Sequence, residues 1–257
     1  MKSTLLYLCL LISSSVSAKQ NKEIISCTHI QVCNALKFVM GENSNFFIKN
    51  LINNQHEDPH HFEPSVGDIK ALMKADFLVL PPHTLQPWLK NIERKRSSQK
   101  KTYQIIEKNS HFWLDHNSLC SVISQVSAML PTKVVDVDKS CHNTKKHKLS
   151  IKLKKYVFIL LHDSMGTYFK ELSLRYVALK GHGHLESYTT SSLKNILKIK
   201  KNNANIVWIY EKQIPIPESL TQYVSKTDTI IKINTLGRLG TSPFEVLNQI
   251  NKELGKL

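Results

Sequence analysis

Acidic side chains are scarce in this sequence: 20 Asp and Glu stand against 35 Lys and Arg, a formal charge of +15. Such an excess can mark a nucleic-acid or anionic-membrane binder. The basic residues are scattered, with short clusters at Arg94–Arg96, Lys145–Lys148 and Lys198–Lys201 and no interleaved aromatics to stack on bases. Nucleic acid is thereby excluded as a partner, and the charge reads as a solvated lysine-rich surface. Cysteines are few. Beyond Cys9 there are only Cys27, Cys33, Cys120 and Cys141, none in a Cys-x-x-Cys pair, which excludes a thiolate zinc site or a thioredoxin-like motif. Disulfides and free buried thiols both remain open for them, with Cys120–Cys141 the first pair to test.

Long apolar runs are also missing. Leu5–Ile12 follows Lys2 and precedes the mostly small, polar Ser13–Ser17, with Val16 and Ala18 placed for a signal peptidase. This reads as a secretory signal peptide over residues 1–18, cut near Ala18, because its apolar core is shorter than the ~20 residues a membrane span needs. Leu8 precedes Cys9 where a lipidation signal would carry a small residue, so the mature protein is expected to diffuse in a periplasm.

The rest of the chain alternates short apolar runs with helical periodicity. Glu23–Cys27, Phe46–Leu51, Phe77–Leu80 and Tyr103–Ile106 are expected strands, and Ile30–Met40 and Val66–Lys74 expected helices. After a break, Tyr156–Leu161, Tyr176–Leu179, Asn205–Ile209 and Thr229–Ile233 are strand-like, with a helix over Ser192–Lys200. The alternation predicts an α/β fold with mostly parallel sheets. The break holds an amphipathic run, Leu119–Leu130, ended by Pro131, and a polar stretch, Asp136–Lys148. Residues 19–116 and 156–257 are therefore expected to form two lobes, and 117–155 their connecting helix and linker.

Histidine is abundant, with 12 residues, and three stand where strands should give way to loops. His60 lies in DPHHFEP, His111 in SHFWLD and His162 in FILLHDSMG. Ligands of open α/β sheets bind beyond the carboxyl ends of the strands, so these positions can converge on one cleft. Imidazole is the commonest zinc ligand, and a few nitrogen or oxygen donors suit its tetrahedral preference. Their wide spacing excludes a compact zinc finger.

Together, in this order, the three segments resemble the zinc and manganese solute-binding proteins of bacterial metal ABC transporters, the cluster A-I family. The most specific match is EDPHHFEPSVGDIKALMKADFLVL. The resemblance implies two α/β lobes, each on a small mostly parallel sheet, joined by a helix, with His60, His111 and His162 as metal ligands. His61 matches a variable position. The family's manganese members tend to carry a carboxylate at the position of His162, so a nitrogen there implies Zn2+ over Mn2+ as the transported ion. The implied protein is a monomer that delivers its ion to a permease in the inner membrane and catalyses nothing.

Two departures stand out. The family's fourth ligand is usually an Asp before a late Leu-Gly, where this chain has Asn234. An amide oxygen is a poorer zinc donor, so water, Glu57, or His182, His184 and Glu186 of KGHGHLES are candidates to complete the shell. The stretch from Asp115 to Tyr156 is also short for the family's connecting helix, which is expected to be truncated or broken at Pro131. Pro81–Lys101 is basic, where zinc members often carry a His- and acid-rich loop. Alternative readings are a metallochaperone or adhesin on the same fold and a zinc-dependent hydrolase, since three histidines with an open position can activate water. Against the hydrolase, there is no His-Glu-x-x-His helix, and Asp163 beside His162 reads as a partner orienting the ligand ring.

Overall fold

The protein is described by a computed structural model over residues 23–42, 46–51, 62–96, 100–130, 134–144, 150–180, 188, 190–202, 205–212, 214 and 216–257. The expected signal peptide and its cleavage site lie outside the described residues. The first half runs β1 (Glu23–Cys27), α1 (Ile30–Met40), β2 (Phe46–Asn50), α2 (Val66–Lys74), β3 (Phe77–Leu80), α3 (Leu89–Lys95) and β4 (Lys101–Gln104). Next come α4 (His116–Met129), α5 (Val137–Thr144) and α6 (Ser150–Leu153). The second half runs β5 (Val157–Leu160), α7 (Gly166–Glu171), β6 (Arg175–Ala178), α8 (Thr190–Asn202), β7 (Ile206–Glu211), α9 (Glu218–Thr221), β8 (Thr229–Ile233) and α10 (Glu245–Gly255).

Each half forms a four-stranded sheet, in the orders β2-β1-β3-β4 and β6-β5-β7-β8, and every strand pair is parallel. Parallel strands covered on both faces read as continuous apolar runs, as β5 (VFIL) and β7 (IVWIYE) do, buried throughout. Local chemistry starts the helices. Ser65 and Asp68 form a reciprocal capping box at α2, and the Asp115 side chain accepts the Ser118 N–H at α4. On α4, Leu119, Val122, Ile123 and Val126 recur at helical spacing and are buried.

One apolar cluster runs through both halves, taking in Leu36 of α1, Trp113, Ile123 of α4, Phe158 of β5 and Ile250 of α10. The loop after β8 is fastened to α1 of the first half. Gln31 Nε2 donates to the Leu236 carbonyl at 2.6 Å, Asn34 Nδ2 donates to the Arg238 carbonyl at 2.8 Å, and Asn34 Oδ1 accepts the Gly240 N–H at 2.8 Å. Gly237 between them has φ +73°, and a Cβ there would lie 2.7 Å from Gln31 Nε2 and 2.8 Å from Val246 Cγ2. Disulfides join Cys27 to Cys33, across the β1–α1 turn, and Cys120 to Cys141, tying α4 to α5.

Several boundaries differ from the sequence reading by one or two residues, and three elements differ in ways that have a physical reason. β4 begins at Lys101, which pairs with Phe77, and Ile106 is 80% exposed. An edge strand needs its backbone paired on one side only, so apolar content marks its position poorly. The polar stretch after Asp136 is helical: Asp136 Oδ1 accepts the Lys139 N–H at 3.0 Å, and the disulfide holds α5 on α4. The connecting helix α4 starts at His116 and ends at Met129. Pro131 and Lys145–Lys148 lie outside the described residues.

Candidate metal centre

His111 precedes a single 3-10 turn, Phe112–Leu114, whose three side chains are buried and fix its place. Its N–H donates to Asn109 Oδ1 at 3.0 Å, and its Nδ1 lies 3.3 Å from Ser110 Oγ. His162 occupies the equivalent place beyond β5, ahead of the 3-10 turn Asp163–Met165. Both histidines are 3% exposed, and their ring centroids are 4.9 Å apart at 73°. A donor from each half of the chain thus meets the other.

Around this pair lies a buried carboxylate that the sequence reading missed. Glu211 ends β7 and is 7% exposed. His162 Nδ1 lies 2.8 Å from its Oε1, which also accepts from Ser164 Oγ at 2.7 Å. Thr235 Oγ1 donates to Oε2 at 2.5 Å. Burial alone would raise the Glu211 pKa; the bond and charge of His162, with the Thr235 and Ser164 hydroxyls, outweigh it, and the carboxyl is held below its ordinary value. An ionised carboxylate only accepts, so Nδ1 of His162 carries a proton; in the neutral form of the ring the lone pair is then on Nε2. That is the tautomer a metal ligand needs. The signal for Glu211 was present, because a carboxylate ending an otherwise apolar, buried strand must have partners.

Asp163, expected to orient His162, does not form that bond. Its carboxylate lies over the start of α7, where a Cβ on Gly166 would overlap its Oδ1 and stand 2.8 Å from the Tyr176 hydroxyl. His29, not singled out from the sequence, is close by, its ring 4.5 Å from that of Trp113. Its Nδ1 accepts the Gln31 N–H at 3.3 Å, which puts the proton of the neutral ring on Nε2. His29 is accordingly a helix cap, its Nδ1 lone pair engaged by a backbone N–H. Asn234 is half-buried, and its Oδ1 accepts the N–H groups of Leu236 and Gly237, each at 3.2 Å. This is an Asx turn.

His60, His61, Glu57, His182, His184 and Glu186 lie outside the described residues. Among the described residues two predicted donors come together, and no group of three or more His, Cys, Asp or Glu is placed to hold a metal. The donors fit a borderline metal: imidazole nitrogens, one with its tautomer set by a carboxylate. Also among the described residues, no helix is long and apolar enough to cross a membrane.

No family model matches the chain. Over 164 residues it is 27% identical to a Thermotoga maritima protein named "Putative metal-binding protein", a match covering 56% of this chain and 60% of that relative. Among solved structures, Streptococcus pneumoniae AdcAII superposes with a TM-score of 0.72 at 17% identity, covering 91% of this chain and 98% of that one. The periplasmic zinc binding protein TroA from Treponema pallidum gives 0.69 at 14% identity, covering 91% and 97%. A manganese-bound mutant of a periplasmic metal binding protein from Candidatus Liberibacter asiaticus gives 0.69 at 10% identity, covering 91% and 98%. Over 91% of its length the chain thus shares the two-lobed α/β fold of these solved structures.

Proposed function

We propose that the protein is an exported solute-binding protein that captures zinc between its lobes and delivers it to an inner-membrane ABC permease. The observation that carries this is the buried pair of His111 and His162, one from each half, 4.9 Å apart, with His162 bonded to a carboxylate through Nδ1. His60 is the expected third donor, and Asn234 or a replacement the fourth. Nitrogen donors favour zinc over manganese, and the carboxylate bonded to His162, Glu211, already accepts from three side chains. The same engagement suits Glu211 to orienting a ligand and not to taking a proton from bound water, which supports capture over hydrolysis. Capture strips water from the ion as the imidazoles close on it, and release follows when a docked permease loosens one lobe. Export through the N-terminal segment would place the protein, as a monomer, in the periplasm.

The test is a metal competition on the purified mature chain. About one zinc per chain is expected, displacing manganese from an equimolar mixture. Manganese binding as tight as zinc overturns the assignment of His162 as a nitrogen donor. His142, exposed on α5, serves as a control whose change to Ala leaves the metal in place.

A further inference from the structure

The two proposed ligand histidines are joined by more than their ring contact. His162 bonds to Glu211, and the far oxygen of Glu211 accepts from the Thr235 hydroxyl. The carbonyl of the same Thr235 accepts from Trp113 Nε1 at 2.6 Å, and the Trp113 ring stands 5.5 Å from that of His111. The circuit closes at the 4.9 Å contact between His111 and His162. It crosses between the halves twice, once at the rings and once at Thr235, which belongs by sequence to the second half and bonds to both. Thr235 is 1% exposed and Trp113 1% exposed, so water does not compete for these bonds.

Resting on the metal-site reading above, we propose that Glu211 and Thr235 are positioning residues. Glu211 holds His162 with its proton on Nδ1, and Thr235 locks that carboxylate to the first half through Trp113, setting the spacing of the two rings before metal arrives. The physical reason is the cost of disorder. An imidazole free to rotate, or to carry its proton on Nε2, must be reordered when the ion binds, and that cost is subtracted from affinity. A carboxylate on the ring also makes the opposite nitrogen a stronger donor. Ser164 supplies a third bond to Glu211 from the second half alone, so among these three partners Thr235 is the one that also bonds to the first half.

The experiment uses the mature chain with zinc as the only added ligand. Zinc affinity is measured by chelator competition for wild type, Glu211→Gln, Thr235→Val, Thr235→Ser and His162→Ala. The tautomer of His162 is read in the metal-free wild type and variants from long-range 1H–15N spectra. Glu211→Gln keeps the shape and removes the charge, and is expected to weaken zinc by about 10- to 100-fold. Thr235→Val removes only the hydroxyl, with an expected loss of about tenfold, and Thr235→Ser restores affinity. In wild type the proton resides on Nδ1, and in Glu211→Gln a share moves to Nε2. Wild-type His162 protonated on Nε2 overturns the proposal even if no variant folds. Wild-type affinity in both Glu211→Gln and Thr235→Val overturns it too, and His162→Ala then separates the cases. If His162→Ala abolishes binding, the metal site stands without its positioning circuit; if it does not, the site itself is elsewhere.

Discussion

The two sheets have the same strand order, so each has a crevice where the order reverses: between β1 and β3 in the first, and between β5 and β7 in the second. The crevices are filled differently. In the first, Thr28 Oγ1 donates to Gln86 Oε1 and Gln86 Nε2 returns to the Thr28 carbonyl at 3.4 Å, both side chains fully buried. That pair is neutral and satisfies itself. In the second, His162, two residues beyond β5, meets Glu211, the last residue of β7, an imidazole against a carboxylate. One topology thus carries a neutral pair at one crevice and an imidazole–carboxylate pair at the other, and the difference rests on which side chains stand beyond the strands.

The widest separation of the two comes from emptying each crevice in turn. His162→Ala is expected to weaken zinc at least a thousandfold, about 4 kcal/mol, and to erase the rise in melting temperature that zinc gives wild type. Gln86→Ala should leave zinc affinity unchanged and lower metal-free stability by about 1–3 kcal/mol, because it strands a buried hydroxyl. Chelator competition and urea unfolding measure the two quantities. Equal zinc loss in both variants would mean that the first crevice also contacts the ion.

A smaller effect is expected where the second sheet's last loop meets the first half. Gly237 has φ +73° and packs too closely on Gln31 and Val246 to admit a Cβ. Gly237→Ala should therefore destabilise the protein by about 1–3 kcal/mol in urea unfolding. A change within the error of the measurement would show that this loop does not fasten the halves together.

Acid sharpens the contrast further, since Glu211 and Asp228, two carboxyls held below their ordinary pKa, are in the second half. For Asp228, burial alone would raise the pKa, but bonds from Lys200, the Ser225 N–H and Trp208, with the charge of Lys200, hold it below the ordinary value. Glu211 is lowered in the same sense. In the unfolded chain these carboxyls take up protons near pH 4, before the folded ones do. Their contribution is complete above that range and is lost as the pH falls through the lowered folded values. Metal-free melting temperatures should drop below about pH 4, and Asp228→Asn should flatten part of the drop. An unchanged slope in that variant would remove Asp228 from the account.

The sequence carried the architecture because the central strands are apolar on both faces, and such runs as FLVL and FILL cannot be mistaken for loops. Among the edge strands, β8 was legible to the residue and β2 and β6 to within one, while β4 was displaced by two: it is KTYQ, whose side chains are partly or fully exposed and whose place is set by pairing with Phe77–Leu80. His111 and His162 were legible as strand-end histidines, and the structure brings them together. Glu211 was legible only as a strand-end carboxylate in need of partners, and Thr235 not at all, because the contacts lie across 49 residues for one and 24 for the other, which no local pattern encodes. Asp163 misled for the same reason. Adjacency in sequence made it the obvious partner of His162, while the 3-10 turn that Asp163 opens carries its carboxylate over the start of α7, and Glu211 at the end of β7 takes the place.

The smallest expected effect concerns Asn234, which follows β8 as His162 follows β5. Its Oδ1 already serves two backbone N–H groups, those of Leu236 and Gly237. Asn234→Asp keeps that acceptor and adds a charged second oxygen, so the turn survives and the crevice gains an anion. Zinc affinity is expected to rise about tenfold, the equivalent of about 1.4 kcal/mol, since a carboxylate completes a tetrahedral shell better than an amide and offsets the ion's charge. Asn234→Ala removes the turn's acceptor, and metal-free stability should fall by about 1 kcal/mol with little change in zinc affinity. Chelator competition on both variants, beside urea unfolding, separates the two roles. If Asp leaves zinc affinity where it was while Ala still costs stability, position 234 is only a turn residue. The fourth donor must then be sought among His182, His184, Glu186 and Glu57, by the same titration on their Ala variants.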